Sequence, residues 1–181
     1  MEVRLDWMPR IHPNWTGDFD DDHDVAVIVL PEEFHGVYSS EAFPNGIPVP
    51  RLADPILDIY PNVGVIVLWV TETGLRAAKF VVVDRKYCSE PSSESKDRDV
   101  GGNLLCIQSD SADVFEGLSG GPVLIYGDRT VSGATERLAN LDLAVGVVSF
   151  HDQKWAKGRM AVSFVGASRL WIKEVEREVR L

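Results

Sequence analysis

Six short runs dense in β-branched and aromatic residues recur along this chain, and they constrain its fold more than any other feature. They are "VAVIVLP" (25–31), "VGVIVLWVT" (63–71), "RAAKFVVVD" (76–84), "PVLIYG" (122–127), "LAVGVVSF" (143–150) and "RMAVSFV" (159–165). Such residues pack well on a pleated surface, and each run has the length of a strand. Clusters of Pro, Gly, Asn and Asp separate them, as in "FPNGIPVPRLADP" and "YGDRTVSG", which supply tight connections. The stretch "CSEPSSESKDRDVGG" (88–102) is polar and of low complexity, so it reads as an exposed loop between strands. Only the end departs from this pattern. "SRLWIKEVEREVRL" sets Leu170, Trp171, Val175 and Val179 on or near one helical face, with Ser168 as the N-cap. The expected class is all-β with a C-terminal helix, and no repeat of fixed period is present.

Composition excludes several functions. The chain has 181 residues, 45% hydrophobic and 25% charged, enough for one domain with a real core. No apolar run approaches the ~18 residues of a membrane span, so no membrane partner is expected. The net charge of −10, with no offsetting basic cluster, argues against nucleic acid. Cys88 and Cys106 lack metal-ligand spacing; they form either one disulfide or two buried thiols, and no metal or organic cofactor is expected. "DFDDDHD" (18–24) mimics half of a calcium loop but has His23 at the turn glycine and Val29 where the bidentate Glu belongs.

"EGLSGGPVL" (116–124) carries the chemistry. A serine hydroxyl needs a neighbouring base and N–H donors aimed at the oxyanion that forms when it attacks a carbonyl. Gly117, Gly120 and Gly121 around Ser119 permit a tight turn that presents such donors. The motif also satisfies G-x-S-x-G, the elbow of α/β hydrolases, but Pro122 and "VLIY" continue as a strand where that elbow enters a helix.

Gly117, Ser119, Gly120, Gly121, Pro122 and Val123, followed by a hairpin into "VGVVSF", resemble the nucleophile region of the chymotrypsin/trypsin family of serine endopeptidases. The resemblance runs in order along nearly the whole chain. "RIHPNW" followed by "DVAVIVLP" is similar to the segment bearing the family's triad aspartate, here Asp24. "NLLCIQ" (103–108) resembles its cysteine-bearing strand, "VVSF" (147–150) the strand that pairs with substrate, and "LWIKEV" (170–175) its C-terminal helix.

The resemblance implies a chymotrypsin-like double β-barrel with residues 1–70 as the remainder of the N-terminal barrel, 71–166 as the C-terminal barrel and 167–181 as the helix. It implies Ser119 and Asp24 as catalytic residues, with the N–H groups of Gly117 and Ser119 as the oxyanion hole. Substrate would meet Ser149, Phe150, His151 and Asp113, the last at the base of the specificity pocket, with His151 and Met160 narrowing its wall. Cys88 and Cys106 would be disulfide partners. The partner would be a polypeptide substrate or protein inhibitor, bound by a secreted monomer, although "MEVRLDWMPRIHP" has no apolar signal region.

Two departures matter. Leu118 replaces the aspartate that pairs with a newly cut N-terminal amine, so packing must set the oxyanion hole instead. The family's base histidine lies well before its aspartate, yet the 23 residues preceding Asp24 hold only His12 and His23. Neither fits: His12 belongs to the "HP" segment, and His23 adjoins Asp24 on a strand where successive side chains point to opposite faces. His35 follows that strand, and His151 lies on the substrate side. The base is expected to be absent from these residues and the N-terminal barrel to be incomplete.

Overall fold

The computed structural model describes residues 9–18, 23–29, 50–88, 102–109, 117–125, 143–151, 155 and 157–179. Within them the strands are β1 (Arg10–Ile11), β2 (Ala26–Val27), β3 (Arg51–Leu52), β4 (Gly64–Thr71), β5 (Gly74–Val83), β6 (Leu104–Gln108), β7 (Pro122–Ile125), β8 (Leu143–Phe150) and β9 (Arg159–Phe164), followed by one helix, α1 (Val165–Val179).

Strands β8, β7, β4, β5, β6 and β9 pair in that order, all antiparallel, and β9 pairs back onto β8. The sheet therefore closes into a six-stranded barrel, which removes the exposed edges an open sheet would carry. Alternation fills the interior. Val65 and Val67 of β4 and Phe80 and Val82 of β5 point inward to meet Ile107, Val145 and Met160, all buried. The class is all-β with a C-terminal helix, as expected. The β1–β2 ribbon forms a separate two-stranded sheet outside this barrel.

Two expected boundaries shift. The division at residue 70 falls one residue short of the β4–β5 turn, which joins Thr71 to Gly74, so β4 belongs to the barrel with β5. Even β3 pairs in parallel with the start of β8. Helix α1 begins at Val165, directly off β9, so Ser168 lies inside the helix, buried, and is not its N-cap. Val165, Ser168 and Val175 of the helix are buried, while Leu170, a step of 100° from Trp171, is 71% exposed.

Helix α1 reaches the barrel so closely because Gly166 has no side chain. A Cβ there would stand 2.8 Å from the Asp54 carbonyl and closer still to the Phe164 ring. One turn on, Arg169 bonds Asp54 Oδ2 at 3.1 Å and holds the helix against the segment after β3.

Cys88 ends a 3-10 turn after β5 and is joined to Cys106 on β6 by a disulfide. Both sulfurs are buried. Of the two states the sequence left open, the structure holds the bonded one.

Candidate active site

The serine loop is clamped to the end of β8 by its backbone. Gly120 N–H donates to Val148 O at 2.8 Å, Val148 N–H donates to Gly121 O at 2.9 Å, and Gly121 N–H closes a turn onto Leu118 O at 2.9 Å. Glycine is required at these places for different reasons. Gly117 and Gly120 have φ of +93° and +81°, the left-handed region that other L-residues enter only at a cost. A Cβ on Gly121 would lie 2.6 Å from the Leu68 carbonyl oxygen and 2.8 Å from that of Leu118. Both obstacles are backbone and cannot step aside.

Leu118 is buried at 3% exposure among the core side chains of the barrel. Its side chain anchors a loop whose neighbours Gly117 and Ser119 are exposed. Among the described residues, no acceptor takes the N–H of Gly117 or of Ser119. Two donors are thus left for a ligand, on a loop tied down by an apolar pin.

Strand β8 carries the other half of the site. Its pairing with β9 slips between Val148 and Phe150, a bulge that turns the local backbone. The carbonyls of Val148 and Ser149, which would alternate in a regular strand, both reach the serine loop: the first takes Gly120 N–H, and the second accepts from Ser119 Oγ at 3.1 Å. The Ser149 hydroxyl donates in turn to Asp24 Oδ2 at 2.5 Å. Ser149 is 7% exposed and Asp24 is half-buried, so this bond is partly removed from water. Ser119, Ser149 and Asp24 are therefore brought together, with Ser149 in the middle.

The remaining candidates are placed less closely. Phe150 packs against Trp155 with ring centroids 5.3 Å apart, forming an aromatic shelf beside the serine loop. His151 follows, exposed. Met160 is fully buried in the barrel core, so its side chain does not narrow a pocket wall as expected. Asp113 and His35 lie outside the described residues. Among the described residues, no group of three or more His, Cys, Asp or Glu side chains is arranged to hold a metal.

His12 and His23 are engaged elsewhere. Their rings stack at 4.2 Å, within 5° of parallel, and Trp171 of α1 meets His12 edge-on at 4.7 Å. Burial and the neighbouring His23 hold the His12 proton affinity below its ordinary value.

Sequence reasoning missed two residues here. Trp155 stands alone in a polar loop, with no periodicity to assign its partner. Arg159 is buried at the start of β9, donating to Tyr87 O at 2.8 Å and to Gln108 Oε1 at 3.2 Å. Only its position opposite Gln108 in the β6–β9 register reveals that role.

No family model and no curated protein matches this chain. Among solved structures, the scabies mite inactivated protease paralogue S-I1 is similar at 20% identity with a TM-score of 0.49, over 71% of this chain and 52% of that one. The chain spans about half the length of that protein.

Proposed function

We propose that this chain is a domain of the chymotrypsin/trypsin serine endopeptidase type, which holds an extended polypeptide beside β8 with Ser119 as its nucleophile. The observation that carries this reading is the convergence of Ser119 and Asp24 on Ser149. Two residues singled out as nucleophile and acid are tied to one bulged strand end, beside two N–H groups that take no acceptor among the described residues.

In the proposed reaction Ser119 Oγ attacks a peptide carbonyl and loses its proton, and the carbonyl oxygen takes up negative charge facing the N–H groups of Gly117 and Ser119. Breakage of the C–N bond leaves an acyl group on Ser119, the departing amine takes a proton, and water releases the acid. Main-chain pairing along Ser149 and Phe150 would supply affinity, with the Phe150–Trp155 shelf receiving an apolar side chain. The bound partner is a polypeptide substrate or a protein inhibitor. The Cys88–Cys106 disulfide supports an oxidising compartment, in keeping with secretion.

Catalysis needs a proton acceptor for Ser119, and one observation favours a second reading. Ser119 directs its hydroxyl at a backbone carbonyl, which is no base, and the His12 and His23 rings are committed to each other. A module that binds polypeptide without cutting it has the same groove and needs no base. Treating the chain with a fluorophosphonate and weighing it intact, beside Ser119→Ala, separates the two. Labelling with peptide hydrolysis supports the endopeptidase; saturable peptide binding without labelling supports the binding module; neither overturns both.

A further inference from the structure

The stacked His12 and His23 rings stand where the β1–β2 ribbon meets α1, and three features set this pair apart from ordinary surface histidines. The first is a fixed tautomer. Asn14 N–H donates to His12 Nδ1 at 3.2 Å, so that nitrogen must be unprotonated and the ring proton sits on Nε2. The second is an unpartnered atom: among the described residues, His23 Nδ1 is buried without a hydrogen-bond partner. The third is backbone strain. His23 has φ of +77°, a conformation that costs a residue with a Cβ and that survives only where its surroundings enforce it.

What enforces it is on the page. The His23 ring lies face to face on His12, and Trp171 closes the other side of His12. The backbone is tied at the same point, since Val25 N–H donates to His23 O at 2.7 Å and His12 N–H donates to Val25 O at 3.0 Å. Asp24 lies between His23 and Val25. The orientation of its carboxylate toward Ser149 is therefore set by a three-residue segment, His23 to Val25, whose two ends are pinned to His12.

We propose that the His12–His23 stack is a positioning latch for Asp24, closed while His12 Nδ1 is unprotonated and opened when that nitrogen takes up a proton. Protonation acts against every contact that closes it. A proton on His12 Nδ1 removes the acceptor that Asn14 uses. A charged His12, buried between the His23 face and Trp171, also loses hydration that the neutral ring does not need. With the stack released, nothing holds His23 in its strained conformation, and Asp24 leaves Ser149 Oγ.

Charged groups stand on the described elements around the stack. They are Arg10 and Asp18 on the ribbon side, Asp24 itself, and Lys173, Glu174, Arg177 and Glu178 on α1, with Arg10 paired to Glu178 at 3.6 Å. Of these and the two rings, only His23 has a resolved electrostatic effect on His12, and that effect opposes its protonation.

The latch gains its functional meaning from the proposed role of Asp24, but its test does not depend on catalysis. The full chain, labelled with 15N, is titrated from about pH 8 to about pH 5, across the ordinary histidine range. Backbone amides of Asp24 and Ser149 are followed beside the ring nitrogens of His12 and His23. The expected result is that the Asp24 and Ser149 amides move together with the His12 ring nitrogens, in a transition below the ordinary histidine value. His23→Asn, which tolerates a positive φ, should abolish the transition at Asp24 and Ser149. Amides of Asp24 and Ser149 that stay still while the rings titrate would overturn the latch, and the wild-type titration decides this even if the variant does not fold. Loss of the latch with Ser119 still reactive toward a fluorophosphonate would leave the endopeptidase reading intact.

Discussion

Ser149 donates its hydroxyl to Asp24 across 125 residues of sequence, and this one bond ties the β1–β2 ribbon to the closing strand of the barrel. Its acceptor is a half-buried carboxylate and its donor is nearly buried, so deletion of the donor leaves a partly shielded oxygen without that partner. Ser149→Ala should lower the unfolding free energy by about 1.5–3 kcal/mol, the range for a hydrogen bond to a charged group. Urea denaturation measures it. A change within about 0.5 kcal/mol, typical of a surface substitution, would mean that the ribbon is held by other contacts.

Leu118 provides a sharper contrast because the resembling family has an aspartate there. Here the site is an apolar interior. Leu118→Asp should cost about 3–5 kcal/mol, the usual result of leaving a buried charge unpaired, whereas Leu118→Met should cost less than about 1.5 kcal/mol. An aspartate tolerated at wild-type stability would show that a cation lies within its reach.

The difference between what could be read in the sequence and what could not follows from the range of each interaction. The barrel strands were legible because alternation is a local signal: "VGVIVLWVT" and "LAVGVVSF" became β4 and β8 almost residue for residue. Gly117 and Gly120 were legible as turn glycines for the same reason, since a positive φ is a property of one residue. Closure of the barrel was reached only through the family resemblance, because the pairing of β8 with both β7 and β9 depends on partners far along the chain. Leu170 was misplaced because it stands 100° from Trp171 and well away from Val175 around the helix, outside the buried stripe. The ring stack of His12 and His23 was invisible, since the reading placed His23 on a regular strand and its φ of +77° breaks that strand.

The serine loop predicts a difference between two glycines that the sequence treats alike. Gly121→Ala drives a Cβ into two backbone carbonyls and should cost about 1–3 kcal/mol or more, as overpacking does. Gly117→Ala meets nothing within 4 Å and is opposed only by its φ, about 1–2 kcal/mol. The first should also disturb the Gly121–Val148 pairing, seen as loss of hydrogen-exchange protection at Val148 N–H. Equal costs with protection unchanged would mean that the loop moves freely off β8.

Cys88 and Cys106 close a loop with a sequence separation of 18. Cross-linking over that length restricts the unfolded chain by about 3 kcal/mol in the loop-entropy account. Replacing both cysteines with alanine should lower stability by about 2–4 kcal/mol, read by denaturation of each form under non-reducing conditions. Because both sulfurs are buried, reduction of the native protein should be slow without denaturant.

Acid should weaken the whole fold through His12, and the sign follows from its lowered proton affinity. The ordinary value is 6.5, and the folded state lies below it because of burial and the nearby His23. Between those two values the unfolded chain binds more protons than the folded one, so stability falls as the pH falls from 6.5 toward the folded value. Above 6.5 neither state holds the proton, and this contribution to the pH dependence vanishes. The urea midpoint should therefore be lower at about pH 5.5 than at about pH 7.5, with the carboxylates still ionised at both. His12→Asn removes the titrating ring and should narrow that difference. A variant with the full wild-type difference would place the acid sensitivity in another group.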